Sequence, residues 1–339
     1  MMMFGWRKRK RAKSLERAKL GFCMVTGEDG VEKNLDEGIK ILIEESDKGL
    51  IEADIILGNL YFEGIEVEKD LPKAAGYLEK GADGGDAICQ LRLGCLLMTG
   101  QGGIASNQPK AMELFEKAAA QGDVNAIFNI GNAYLNGLCG VEKDQRKAHD
   151  WYMKAAELGD ALAQYNIGVD YERGEVCEKS PTISAQWLEK SAKSGFAKVQ
   201  SCLGDRYYHG IGVCLDYEKA AFWYEKASEQ GDVSAINNMG SCYLNGKGVG
   251  QNLSRAFSYF EKAAKAGHHQ AQQTIGILYL LGKGVSQNVT LAITWLEKAA
   301  DAGLEGAIIA LGEIYSSGEY MAPDFGKASY WKNKISGKA

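Results

Sequence analysis

Proline and histidine are both scarce in this chain, with four residues of each among 339. So little proline excludes Pro-rich linkers and collagen-like repeats. The few histidines leave little material for metal or proton-relay chemistry. No apolar run approaches the roughly 20 residues that a membrane-spanning helix needs. Met1 to Trp6 are mostly apolar, but the basic run Arg7, Lys8, Arg9, Lys10, Arg11 and Lys13 follows them. An export signal carries its charge ahead of a longer apolar stretch, so none is expected. The eight cysteines, Cys23, Cys89, Cys95, Cys139, Cys177, Cys202, Cys214 and Cys242, fall at no recurring pair of positions. Free thiols in a reducing, cytoplasmic compartment are expected, not a disulfide framework. A net charge of -5 makes a poor non-specific binder of phosphate backbones, so no nucleic-acid partner is expected.

Glycine, by contrast, is abundant at 42 residues, and its spacing is regular. Glycines preceded by an apolar residue fall at 21, 58, 94, 131, 168, 204, 240, 276 and 312, in steps of 36 or 37. Six residues after each of these anchor glycines stands another: 27, 64, 100, 137, 174, 210, 246, 282 and 318. Alanine recurs five residues before the anchor, at Ala53, Ala126, Ala163, Ala235, Ala271 and Ala307. A tyrosine follows it by three in seven units, from Tyr61 to Tyr315. Offsets -5, -1 and +3 share one face of a helix. A mid-helix glycine costs about 1 kcal/mol relative to alanine, so its repetition needs a packing reason: a second helix crosses tightly there. The later glycine sits where the helix stops, as a left-handed C-terminal cap.

A small polar residue follows after a short loop: Asn34, Asp70, Asn107, Asp144, Ser180, Asp216, Asn252, Asn288 and Asp324. These are N-cap types, and all four prolines (72, 109, 181 and 323) cluster beside them, as at a helix start. The second helix carries a small residue and then an aromatic, as in Ala74 and Tyr77, Ala148 and Trp151, Ala220 and Trp223, Ala256 and Tyr259, Ala292 and Trp295, and Ala328 and Trp331. These aromatics are expected to form its packing face. Each unit is thus a helical hairpin that buries its apolar face only by stacking on its neighbours. The predicted architecture is all-α: a basic tail over residues 1–12, then a single solenoid over 13–339. Its units are 13–49, 50–85, 86–122, 123–159, 160–195, 196–231, 232–267, 268–303 and 304–339.

The pattern Ala-x3-Leu-Gly-x2-Tyr-x2-Gly, then Gly-Val, Asp or Asn, Lys-Ala, an aromatic and Lys-Ala-Ala-x2-Gly, closely resembles the Sel1-like repeat family, relatives of the tetratricopeptide repeats. The stretches Ala126 to Gly137 and Ala235 to Gly248 carry it most fully. The resemblance implies a right-handed α/α superhelix with a concave groove, and a role as adaptor or scaffold for a protein or peptide partner. Some secreted bacterial members carry one disulfide per repeat, and this sequence lacks the matching cysteines.

Opposite the packing face of the first helix lie offsets -6, -2, +1 and +5. They read Asn125, Asn129, Asn132 and Asn136 in the fourth unit, and Leu162, Asn166, Val169 and Arg173 in the fifth. In the sixth they read Lys198, Cys202, Asp205 and His209, and in the seventh Ser234, Asn238, Ser241 and Asn245. Asparagine is a poor helix former, and its amide both donates and accepts, which suits gripping a peptide main chain. In the tetratricopeptide relatives an asparagine two residues before the small anchor residue contacts ligand backbone, and Asn129, Asn166 and Asn238 match that position. The candidate groove is therefore Asn125, Asn129, Asn132, Asn136, Tyr165, Asn166, Arg173, Asp205, Asn238 and Asn245. Equally open is that the asparagines bond to neighbouring repeats.

Catalytic patterns are missing. His149, His209, His268 and His269 have no ligand at a recurring metal-binding distance, and the cysteines form no Cys-x-x-Cys. Gly-x-Gly pieces such as 246–248 and 282–284 follow helices, not strands, so they are no dinucleotide fingerprint. No enzyme, cofactor or metal is expected, and a monomer is. Two other readings stay open: a helical-repeat binder of single-stranded RNA, and the regulatory subunit of an enzyme complex.

Overall fold

The computed structural model describes the backbone of residues 2–335 and the side chains of residues 10–334. Among the described residues, eighteen α-helices alternate with short loops, and there is no strand. They form hairpins: α1 (Met2–Thr26) with α2 (Leu35–Asp47), α3 (Ile51–Glu63) with α4 (Leu71–Asp83), α5 (Ala87–Thr99) with α6 (Gln108–Ala120), and α7 (Val124–Asn136) with α8 (Gln145–Glu157). After α9 (Ala161–Arg173) and α10 (Pro181–Lys193) come α11 (Ala197–His209) with α12 (Tyr217–Glu229), and α13 (Val233–Asn245) with α14 (Leu253–Lys265). The last two are α15 (His269–Leu281) with α16 (Val289–Asp301), and α17 (Glu305–Ser317) with α18 (Phe325–Ile335). The chain divides into two compact units, Met1–Ile167 and Gly168–Ala339. Within each, a hairpin's second helix packs on the first helix of the next, as α4 does on α5 and α14 on α15. This is the all-α helix–turn–helix solenoid that the glycine spacing predicts.

The anchor glycines show why the spacing is strict. A Cβ on Gly131 would lie 2.7 Å from the Tyr152 ring, on Gly94 2.7 Å from Phe115, and on Gly240 2.9 Å from Phe260. Leu78, Leu188 and Leu296 take the same place against Gly58, Gly168 and Gly276. Such distances leave no room for a methyl group, so the second helix approaches only because the first has none there. The six alanines at offset -5 have no exposed surface at all.

The second helix corrects the sequence reading by one residue. The side chain that meets the glycine is not Tyr77, Trp151, Tyr259 or Trp295 but the residue after each: Leu78, Tyr152, Phe260 and Leu296. Ala74, Ala148, Ala256 and Ala292 stand four residues before these, and i and i+4 share a helix face, whereas the next position is turned about 100° away. Tyr77, Trp151, Tyr259 and Trp295 lie at the edge of the contact, half-buried, each under a lysine one turn on, whereas Trp223 and Trp331 are buried. Lys154 Nζ is 4.0 Å from the Trp151 ring centre, Lys190 3.7 Å from Trp187 and Lys298 4.4 Å from Trp295. Each such cation–π contact contributes about 0.5–1 kcal/mol at an exposed site.

Caps close the helices as the residue types predict. Asn34, Asp70, Asn107, Asp144, Ser180, Asp216, Asn252, Asn288 and Asp324 each accept a backbone N–H three residues on. The helix-stopping glycines are left-handed, with φ from 64° to 77°. One device escaped the sequence reading: the buried glutamines at offset -4. Gln90, Gln164, Gln200 and Gln272 each donate to the carbonyl eight residues back, at 3.1–3.2 Å, where the preceding helix leaves its last acceptors unpaired. The Gly-x-Gly pieces also find a structural use. A Cβ on Gly248 would strike the backbone carbonyl of Tyr217, and one on Gly284 that of Leu253, so these loops rest on the preceding hairpin.

The two ends differ from the middle. The stretch read as a tail over residues 1–12 continues backbone helix from Met2 into α1; the side chains of Arg7, Lys8 and Arg9 lie outside the described residues. At the other end Gly312 meets no bulky apolar side chain among the described residues, of which the nearest is the Lys332 stem at 3.6 Å. This contrast makes a test. Gly276→Ala would press 2.7 Å from Leu296 Cγ and 3.1 Å from the Ala292 carbonyl, and overpacking of that kind costs about 1–3 kcal/mol. Gly312→Ala has room and keeps the helix-propensity gain of about 1 kcal/mol. The thermal midpoint should fall in the first variant and rise in the second; a Gly276→Ala midpoint at or above the parent's contradicts the packing account.

Candidate functional site

The stripe opposite the packing face is where the sequence places a groove, and the structure links its residues sideways. In the first unit Arg92 at offset -2 of α5 donates to Asn59 at offset +1 of α3, at 2.8 Å, and pairs with Glu63 at 2.7 Å. Asn129 of α7 reaches Cys95 of α5, with Nδ2 to Sγ at 3.6 Å. In the second unit Asn238 of α13 donates to Asp205 of α11 at 3.0 Å. Offset -2 thus reaches back to offset +1 of the preceding first helix in both units. Arg206, itself buried, adds an ion pair to the half-exposed Glu172, between α11 and α9.

These links show, residue by residue, which of the asparagines already have partners within the fold. Asn132 accepts the Tyr152 hydroxyl at 2.7 Å, and Asp205 accepts the Tyr224 hydroxyl at 2.7 Å, so both hold their own hairpin together. Asn136 and Asn245 donate to the carbonyl one turn back, Asn132 and Ser241 respectively, at 2.9 Å. Both are exposed, as are Asn125 and Arg173. Tyr165 and Asn166 are half-buried on α9. Phe128 packs on its own second helix, its ring 5.4 Å from that of Tyr152. What the sequence missed is the apolar company of the row at offset -6: Ile88 is 47% and Leu162 45% exposed, with Asn125 between them in the repeat order. The signal was present, since that offset had already been read in the fourth and fifth units.

In the stripe, burial raises the titration of a thiol and of a carboxyl. Burial pushes the Cys202 thiol up, and the nearby Arg206 opposes this only in part. The Asp205 carboxyl is also raised, by burial first, with the Tyr224 hydrogen bond pulling the other way. Burial likewise lifts the Tyr224 hydroxyl. His268 serves as the N-cap of α15, its Nδ1 accepting from Ala271 at 3.2 Å, and burial favours its neutral form. Among the described residues no group of three His, Cys, Asp or Glu side chains stands close enough to hold a metal ion.

The raised Asp205 carboxyl yields a pH prediction. An acid whose folded pKa exceeds its unfolded value favours the folded state when protonated, and that advantage is lost as pH rises from the unfolded value through the folded one. Asp205→Asn keeps an oxygen for Tyr224 and Asn238 and removes the buried charge. It should therefore raise the unfolding midpoint at pH 7, with the difference vanishing on acidification toward pH ~3.5, below the ordinary aspartate value. Urea titrations at the two pH values measure this, and a midpoint lowered at pH 7 refutes it.

Comparison with known proteins agrees with the helix–turn–helix repeat architecture. The Sel1 repeat family model matches nine segments: residues 17–44, 51–86, 87–123, 124–160, 161–196, 201–232, 233–268, 269–304 and 306–331. The fold is similar to that of a protective antigen present in uropathogenic Escherichia coli strains and displaying an SLR fold. That likeness has a TM-score of 0.89 and 30% identity, and covers 98% of this chain and 70% of that one. It is also similar to a Sel1 repeat protein from Oxalobacter formigenes, with a TM-score of 0.63, 32% identity and 91% of each chain covered. No curated protein sequence matches the chain. With matched repeats from residue 17 to residue 331, the chain belongs to the Sel1 repeat family.

Proposed function

We propose that this chain is a non-enzymatic scaffold that holds an extended segment of a partner polypeptide along the open face of its first helices. Solenoids of stacked repeats commonly work through such extended surfaces. The observation that carries the reading is the row on the first unit where exposed Ile88 and Leu162 flank exposed Asn125, with Asn129 and Asn166 one turn further along their helices. Amides there bond a peptide main chain, which every sequence has, and the apolar side chains select what the peptide carries. The lateral bonds between first helices hold this surface in place before a partner arrives, which lowers the entropy lost on binding. In the second unit Arg173, Asn238 and Asn245 would serve the same purpose. The net charge of -5 favours a polypeptide over a nucleic acid as the guest. No helix of the described residues is long and apolar enough to cross a membrane.

A photo-reactive amino acid placed at Leu162 tests the reading in the native cell. It should give discrete adducts with one or a few proteins, while the same label at Glu113, exposed on the second helix α6, should give none of them. Asn129→Ala with Asn166→Ala should cut the Leu162 adduct at least tenfold without moving the thermal midpoint. Asn132 is left intact, because it accepts the Tyr152 hydroxyl and so joins the two helices of its own hairpin. The same adducts from Glu113, or an unchanged yield from the double variant, reject the assignment.

A further inference from the structure

The helices α2 to α17 are each 13 residues long, but α1 has 25. Among its described side chains the buried apolar ones begin only at Ala18. The excess, Met2 to Lys13, is therefore a helical extension beyond what one hairpin needs. Its chemistry is unlike the rest of the chain. The first 19 residues hold eight Lys or Arg and one Glu, leaving 31 basic and 43 acidic residues in the remainder. The described cations of the extension face water: Lys10 and Lys13 are exposed, and Arg11 keeps 71% of its side-chain surface while pairing with Glu52. Ahead of the basic run stand Met2, Met3, Phe4 and Trp6.

We propose that this extension docks the solenoid on an anionic lipid bilayer surface. A basic cluster is drawn to a negatively charged leaflet, and each Lys or Arg near it strengthens binding about fivefold. Met, Phe and Trp beside such a cluster enter the interfacial region, where tryptophan is favoured. A nucleic acid would also attract the cations, but it offers nothing to the apolar residues that precede them. The acidic balance of the remaining chain is repelled by the same leaflet, so the extension faces the membrane and the repeats are held away from it. The docking differs from insertion across the bilayer, for which the apolar stretch is too short.

Sedimentation of the full chain with vesicles tests the proposal. At 0.1 M salt it should pellet with phosphatidylcholine–phosphatidylserine vesicles (7:3) and remain in solution with phosphatidylcholine alone. Arg7→Glu, Lys8→Glu and Arg9→Glu together should weaken the anionic binding at least a hundredfold. Phe4→Ser with Trp6→Ser should weaken it at least tenfold while leaving any retention on a single-stranded RNA unchanged. Circular dichroism of both variants should match the parent. No pelleting with anionic vesicles, equal pelleting with neutral ones, or a charge-reversed chain that pellets as the parent does would overturn the proposal. So would binding indifferent to Phe4 and Trp6, which points to a polyanion other than lipid.

Discussion

The structure depends on one contact: a glycine without a side chain on the first helix of each hairpin, facing a large side chain on the second. The contact is strong because it is close. Where two helices approach to this degree, the apolar side chain of Leu78, Phe115, Tyr152 or Leu296 is sealed from water on every side, and dispersion and hydrophobic terms act together. The glycine also sets the register. A hairpin shifted by one residue would bring an apolar residue such as Ile130 or Met239 against the same knob, and neither leaves room. A costly residue in a helix thus becomes what aligns the repeat.

Around that contact, backbone polar groups are closed off by side chains whose positions also repeat. The N-cap carboxylates and amides hold the start of the second helix, the left-handed glycines stop the first, and the buried glutamines take up the carbonyls left at the end of the preceding helix. Each arrangement uses a residue in its own hairpin and an acceptor or donor in the same or the adjoining one. Stability is therefore built from neighbour to neighbour, as a quasi-one-dimensional stack requires.

On the proposed function, the open face of the first helices puts two demands on the same amides. A surface that binds an extended chain needs unsatisfied hydrogen-bonding capacity, while a solenoid needs its helices tied laterally. Asn132 and Asp205 are committed to the second demand, through Tyr152 and Tyr224. Asn125, Asn136 and Asn245 keep exposed amides, and Asn129 and Asn238 stand between, with one lateral bond and a half-buried side chain. The basic extension of α1 belongs to neither demand, and its charge is opposite in sign to that of the chain behind it.

Much of this fold was legible in order of residues alone, because the contacts that build it are local. Hairpin boundaries follow from caps, and caps are single residues at fixed offsets; the repeat length follows from the spacing of the anchor glycines. Three things required the folded chain. Which of two adjacent residues, Trp151 or Tyr152, meets Gly131 depends on the rotation of one helix against another, and residue type does not encode a 100° turn between two aromatics. Which asparagines are spent on structure depends on partners some 33 residues away or across the hairpin, a distance that pattern matching does not measure. The glutamine bonds were unread because glutamine has no helix-end preference of its own; only the nearness of the preceding helix's carbonyls gives it that role. Sequence by itself determined what repeats and where each helix begins and ends. The tertiary structure decided which side chains remain available to a partner, since availability is what packing leaves over.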